Sequence, residues 1–133
     1  MIAATERALK FRPRLVLAHA DGAFAAAAER HLQMLGWEVR QADTSPDIRR
    51  LAAALNPAMV VLSTEGREES GWLTCAKLLR ECPARTVVLV APSVTSEDHS
   101  FAGFVGAAAI VRKADGIAAL VDAMHGTALS AAG

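Results

Sequence analysis

Residues 86–90 read TVVLV, and this short run, made almost entirely of Val and Leu, decides the type of sheet that the chain forms. The other predicted strands are residues 14–18, 38–42, 59–62 and 108–111. Segments with the apolar spacing of helices lie between and after them, at residues 22–35, 46–55, 71–80, 97–105 and 116–129. Regular alternation of buried strands with helices is typical of a parallel sheet covered on both faces. The sequence therefore predicts a three-layer α/β sandwich with five strands and five helices.

Local residue types mark where several helices begin and end. Ser45 precedes Pro46, which predicts that Ser45 is the N-cap of the second helix, with proline at the first helical position. Gly36 is expected to end the first helix in a left-handed conformation, and Pro83 is expected to stop the third.

The length and composition predict one globular domain, and we expect no cofactor or metal. Residues 14–129 form the expected domain, residues 1–13 an arm that is disordered or a short helix, and residues 130–133 a frayed tail. The 14 basic and 14 acidic residues balance, so neither direct nucleic-acid contact nor membrane contact is expected, and the chain is predicted to be cytoplasmic. Cys75 and Cys82 lie seven residues apart on one predicted helix, where they cannot form a disulfide without unwinding it.

The order of the strands places the candidate site. Right-handed crossovers between five such strands give a flavodoxin-like sheet of order 2-1-3-4-5, whose ligand crevice lies at the carboxyl ends of strands one and three. The side chains expected there follow the predicted strands: His19, Ala20 and Asp21, residues 63–67, residues 91–93 and residues 112–114.

Several landmarks share the register of one known family. These are Gly36, Pro57, Ser63, Gly71, Ala91, Gly106 and Lys113. From Arg14 to the last predicted helix, the chain resembles the CheY-like receiver domain of response regulators. The resemblance implies an acidic pair after strand one, a phosphoacceptor Asp after strand three, Ser or Thr after strand four and Lys after strand five.

The residues that would accept a phosphoryl group differ from that pattern. His19 and Ala20 stand at the positions of the acidic pair, Ser63 at the phosphoacceptor and Ala91 at the hydroxyl position. Phosphoryl transfer to a receiver requires a carboxylate nucleophile and a Mg²⁺ ion held by oxygen ligands. Only Lys113 is retained, and we expect it to pair with Asp21 or Glu65. The resemblance therefore implies a degenerate pseudo-receiver that is not an enzyme.

A cobalamin-binding domain, or another small-ligand-binding flavodoxin-like domain, is the alternative interpretation. His19 and Gly22 fit the HxxG half of the cobalamin signature DxHxxG. Leu17, however, stands where the signature has the Asp that orients the histidine. Ala91-Pro92 also replaces the paired glycines that would admit a flat macrocycle. The charged residues 65–69 are expected to form a solvated loop.

The resemblance also indicates a protein interface. Such domains contact a partner or a second copy through helix four, strand five and helix five. The candidate interface residues here are Phe101, Phe104, Ile110, Arg112, Asp115 and Asp122. We therefore expect a phosphorylation-independent module of two-component-type signalling or transcriptional regulation, which acts by protein contact and possibly as a homodimer.

Overall fold

The structure is a computed structural model that describes residues 12–132. Its strands are β1 (Arg14–Ala18), β2 (Glu38–Gln41), β3 (Met59–Ser63), β4 (Val87–Ala91) and β5 (Ala109–Arg112). Its helices are α1 (Gly22–Met34), α2 (Ser45–Leu55), α3 (Gly71–Glu81), α4 (Ser96–Val105) and α5 (Gly116–Ala132), and a 3₁₀ turn (Lys113–Asp115) precedes α5. Apart from residues 12 and 13, the predicted N-terminal arm lies outside the described residues. The segment predicted to fray from residue 130 is helical as far as Ala132.

All five strands are parallel and follow the order β2-β1-β3-β4-β5. This confirms the predicted sheet. The central strands β3 and β4 are buried along their whole length, which explains why their sequences lack the polar and apolar alternation of half-exposed strands. None of the described helices is long and apolar enough to cross a lipid bilayer.

The core consists of two layers, one on each face of the sheet. Leu15, Leu17 and Val61 point to the side covered by α1 and α5, where they meet Leu32 and Leu120. Alternate strand residues point to the side covered by α2, α3 and α4; these are Val16, Val60, Leu62, Leu89 and Ile110, and they pack against Ile48, Leu78 and Ala102. Full burial of each Leu or Val side chain stabilises the fold by about 1.5–3 kcal/mol.

Side chains cap the helices at the edge of the sheet that carries the candidate site. The predicted N-cap at Ser45 is wrong: Thr44 caps α2, and its hydroxyl accepts a hydrogen bond from the Asp47 N–H at 3.3 Å. Ser45 is instead the first helical residue, and Pro46 follows it within the first turn, where a missing N–H breaks no helical bond. This shift frees the Ser45 hydroxyl for a contact with another loop.

Gly71 fixes the path of the chain between β3 and α3. A Cβ atom on Gly71 would lie 1.8 Å from the carbonyl oxygen of Ser63, a distance that no side chain can occupy. The Gly71 N–H also donates to the Thr64 carbonyl at 2.9 Å. The start of α3 is therefore pressed directly against the end of β3, where the candidate site begins.

Candidate functional site

The structure brings the predicted site residues to one edge of the sheet. His19 and Asp21 follow β1, Ser63 and Ala91 end β3 and β4, and Lys113 follows β5. The strand register places Ala18 opposite Leu62, Ser63 opposite Val90, and Ala91 opposite Arg112. The crevice therefore lies at the carboxyl ends of the strands, as the strand order predicts.

Lys113 and Asp21 form an ion pair across this edge. The ammonium group of Lys113 contacts Oδ2 of Asp21, which resolves the predicted choice between Asp21 and Glu65. Oδ1 of Asp21 caps α1 by accepting the N–H groups of Ala23 and Phe24 at 3.0 and 3.1 Å. The hydrogen bond from Lys113, and next the N–H of Phe24, lower the pKa of Asp21 to about 2. The carboxylate is thus ionised at neutral pH and committed to groups of the protein.

His19 is held as a neutral imidazole beside that pair. Its Nδ1 accepts the backbone N–H of Asp21 at 3.0 Å, and its ring lies against Phe24 with the centroids 4.7 Å apart. Burial, and next the charge of Lys113, lower the pKa of His19 below its ordinary value of 6.5. Because Nδ1 acts as an acceptor, the proton of the neutral ring is on Nε2.

Ser63 and Ala91 offer little chemistry at the ends of the central strands. The Ser63 side chain is buried, and its hydroxyl oxygen accepts the Glu65 N–H at 3.2 Å. No histidine or carboxylate of the described residues accepts its proton, so the hydroxyl lacks a base that would activate it as a nucleophile. Ala91 is buried and presents only a methyl group, which can donate no hydrogen bond.

The residues of the crevice do not fit a Mg²⁺ ion. Mg²⁺ prefers octahedral coordination by carboxylate, phosphate and water oxygens. The Asp21 carboxylate is bound to Lys113 and to the start of α1, while His19 and Ala20 offer no oxygen side chain. Within residues 12–127, whose side chains the structure describes, no group of three His, Cys, Asp or Glu residues is placed to hold a metal.

A corrin ring does not fit either. The space beside His19 is a cavity of about 230 Å³, below the 300–1,000 Å³ that is typical of pockets for ligands much smaller than cobalamin. Leu17 is fully buried in the core, and the described residues supply no carboxylate to the ring nitrogens of His19.

The loop between β3 and α3 is anchored by Glu69, contrary to the prediction of a solvated loop. The Glu69 carboxylate accepts the hydroxyls of Ser45 at 2.5 Å and Thr74 at 2.8 Å, and it forms an ion pair with Lys77. The hydrogen bond from Lys77, and next that from Ser45, lower the pKa of Glu69 to about 2. Ser70, Thr74 and Lys77 are spaced by four and three residues, so they lie on one face of α3 next to Glu69. This spacing is the sequence signal for the contact.

The remaining charges of that loop are exposed, as predicted. Glu65, Arg67 and Glu68 border the cavity of about 230 Å³, which is enclosed by the loops that follow β1, β2 and β3. Neither Asp21 nor Lys113 lines this cavity. The crevice therefore has two parts, the Asp21–Lys113 pair on one side and the polar cavity on the other.

A separate surface of α3 and α4 carries three aromatic rings, and we name it the aromatic surface. Phe101 meets Trp72 edge to face at a centroid distance of 4.8 Å and stacks on Phe104 at 6.1 Å. Phe104 is 84% exposed and Phe101 45% exposed. Because Trp72 belongs to α3, these rings extend away from the predicted face of α4, β5 and α5.

The other predicted interface residues divide into exposed and buried ones. Arg112 and Asp115 are exposed and form an ion pair at 2.7 Å, and Asp122 is exposed on α5. Ile110 is buried in the core beneath α4, so it is not available to a partner at the surface.

Known structures with the same architecture include several receiver domains. A CheY-like response regulator receiver domain protein from Methanospirillum hungatei superposes with a TM-score of 0.81 at 17% identity, covering 90% of this chain and 95% of that one. Chemotaxis protein CheY4 of Vibrio cholerae gives 0.81 at 12% identity, covering 86% and 98%. This chain has the fold of a response regulator receiver domain. The BeF₃-activated receiver domain of Klebsiella pneumoniae RstA gives 0.76 at 18% identity, covering 84% and 95%. No family model and no curated protein matches the sequence.

The crevice residues can be described by their positions relative to the strands of the receiver fold. Ser63 ends the third strand, where the resemblance places the phosphoacceptor, and Lys113 follows the fifth. The lysine of this receiver fold contacts Asp21 at the start of α1.

Proposed function

We propose that the chain is a non-enzymatic signalling module of receiver fold that works without phosphorylation and acts through protein contact. The observation that carries this proposal is the ion pair between Lys113 and Asp21. It gives the lysine a carboxylate partner within the protein, while the phosphoacceptor position holds the neutral hydroxyl of Ser63. The fold supports a role in two-component-type signalling or transcriptional regulation.

Phosphorylation of Ser63 by the receiver reaction is disfavoured on chemical grounds. An acyl phosphate forms on a carboxylate, whereas a serine hydroxyl must lose its proton to a base before it attacks phosphorus. Among the described residues, no acceptor for that proton contacts Ser63. Asp21 is already bound to Lys113, and the described residues place no group of three His, Cys, Asp or Glu side chains to hold the metal ion that would offset the developing charge.

The chain also lacks the two side chains that respond to phosphorylation in receiver domains. The resemblance assigns the switch to a hydroxyl after strand four and an aromatic ring on strand five. Ala91 and Ile110 hold these positions, and both are buried in the same core layer. We infer that the surface of the domain is fixed in one arrangement.

Incubation with acetyl phosphate and Mg²⁺, followed by intact mass measurement, tests the loss of phosphorylation. We expect no added phosphoryl group on this chain, because the phosphoacceptor position at the end of β3 holds Ser63 instead of a carboxylate. The receiver domain of RstA serves as the positive control in the same buffer. Acid-stable or acid-labile phosphorylation of this chain under those conditions would refute the proposal.

The aromatic surface is the proposed contact surface, with a second copy of the chain as its partner. Large exposed aromatic residues on a folded domain are enriched at interfaces, where burial of a ring stabilises the complex. Phe104 is almost fully exposed and gains nothing within the monomer apart from its stacking on Phe101. Arg112, Asp115 and Asp122 remain part of the proposed interface as its polar edge.

Light scattering on size-exclusion fractions tests the contact. Phe104→Ser should convert a dimer to monomers without loss of thermal stability, since the ring is outside the core. Met34→Ser is the matched control because Met34 is equally exposed, at 84%, but lies on α1 rather than on the aromatic surface. A dimer that persists in Phe104→Ser, or that dissociates equally in Met34→Ser, would exclude the aromatic surface as its interface.

A further inference from the structure

The polar cavity beside the Asp21–Lys113 pair is enclosed by three loops. These loops follow β1, β2 and β3, and the cavity has a volume of about 230 Å³. Pockets for drug-sized ligands have volumes of about 300–1,000 Å³, so this one suits a smaller molecule. The cavity shares His19 and Ser63 with the degenerate phosphoacceptor pocket but does not contain Asp21, Lys113 or Ala91.

Two neutral side chains that line the cavity have hydrogen atoms to donate. Ser63 is only 8% exposed, and its hydroxyl oxygen already accepts the Glu65 N–H, yet no described residue accepts its proton. His19 accepts at Nδ1 and carries its proton on Nε2. A ligand oxygen would give the buried Ser63 hydroxyl the acceptor that it lacks within the described residues.

The charged side chains that line the cavity are of both signs. Asp43, Glu65 and Glu68 have no cationic partner among the described residues, and Glu69 is already neutralised by its ion pair. Arg67 is the cation of the lining and has no carboxylate partner among the described residues. The free carboxylates outnumber this cation, so a ligand that carried only negative charge would be repelled.

The helix starts around the cavity do not change this balance. The first N–H groups of α1, α2 and α3 are capped by Asp21, Thr44 and Ser70 respectively. Capped N–H groups have their hydrogen-bond acceptor within the protein, so they offer less to an anion than open ones. A ligand that matches the lining needs a cationic group for the carboxylates and an oxygen acceptor for the donors.

We infer that this cavity binds a small zwitterion of the size of a free amino acid. The free carboxylates of the lining attract its ammonium group, and Arg67, Ser63 and His19 offer hydrogen-bond donors to its carboxylate. This goes beyond the proposed function, which needs no ligand. Binding would join the β2–α2 and β3–α3 loops and would stabilise the folded state by mass action.

Thermal unfolding in the presence of each of the twenty amino acids, tested singly, examines this inference. At roughly ten times its Kd, a ligand of the folded state should raise Tm by about 4 °C. The amino acid that gives the largest increase is then compared with the amine that lacks its carboxylate and the acid that lacks its ammonium group. Both analogues should bind at least about tenfold more weakly, which corresponds to the loss of one charged contact.

Variants of the lining connect any binding to the cavity. Arg67 lies on an exposed loop, so the Arg67→Gln variant should fold normally. It should bind the amino acid about tenfold more weakly than the parent chain does. Ser63→Ala should also weaken binding of the amino acid. Glu97→Gln on α4 is the control and should leave the affinity unchanged. If none of the twenty amino acids raises Tm, or if Arg67→Gln binds as tightly as the parent chain, the inference is wrong.

Discussion

Glu69→Gln is the substitution whose effect follows most directly from the structure. The carboxylate accepts two hydroxyls and pairs with Lys77, and together these contacts lower its pKa from 4.5 to about 2. Such a difference between folded and unfolded chains corresponds to about 3 kcal/mol of stability at neutral pH. The Lys77 side chain is 32% exposed, so solvent screens the pair, and we expect a net loss of about 2 kcal/mol.

The loss of stability caused by Glu69→Gln should depend on pH. The pKa of Glu69 is lower in the folded state, so the ionised carboxylate stabilises the protein above about pH 4.5, and this contribution is lost as the pH falls toward 2. The difference between Glu69→Gln and the parent chain should therefore shrink over that interval. Urea unfolding followed by the fluorescence of Trp37 and Trp72 measures it at each pH.

Glu68→Gln is the control, because Glu68 is an exposed neighbour on the same loop and has no ion pair among the described residues. It should change the free energy of unfolding by less than about 0.5 kcal/mol. A Glu69→Gln variant as stable as the parent chain at pH 7 would show that the contacts of this carboxylate do not stabilise the fold. A loss that stayed constant down to pH 2 would refute the prediction equally, since the contribution would then not depend on the charge of Glu69.

Two further predictions concern packing and thiol reactivity. Gly71→Ala should lower the free energy of unfolding by more than about 2 kcal/mol, because its Cβ would clash with the Ser63 carbonyl. Gly103→Ala has open space around its Cβ and should raise the free energy of unfolding by up to about 1 kcal/mol. Urea unfolding measures both variants, and equal effects would contradict the prediction. Burial raises the pKa of Cys75 to about 11. Ellman's reagent should therefore modify the partly exposed Cys82 in the folded protein and should react with Cys75 only after unfolding. Equal reaction rates for the two thiols would contradict this prediction.

The sheet could be predicted from the sequence because its strands are buried on both faces. The runs at β3 and β4 contain hardly any polar residue, and each observed strand differs from its prediction by no more than one residue at either end. The strand order then follows from the handedness of the crossovers, which is a property of the backbone and not of particular side chains. Gly71 begins α3 because only a residue without a side chain fits beside the Ser63 carbonyl.

The contacts between loops could be predicted only in part. Topology brings Asp21, Glu65 and Lys113 to one edge, but the sequence could not tell which carboxylate the lysine contacts, since this depends on the exact path of two loops. The sequence alone places the N-cap of α2 one residue too late, because Thr44 and Ser45 carry equivalent hydroxyls. That single residue decides whether Ser45 caps its own helix or bonds the distant Glu69.

The most direct test of the account is a two-dimensional ¹H–¹⁵N spectrum recorded while Mg²⁺ and beryllofluoride are added together. Beryllofluoride mimics the phosphoryl group of an acyl phosphate and requires a carboxylate and a bound metal ion. Because Asp21 is held by Lys113 and Ser63 carries no charge, we predict no saturable change at the amides of these three residues. Saturable shifts at those amides would show that the crevice still forms the phosphorylated state, and the account would be wrong.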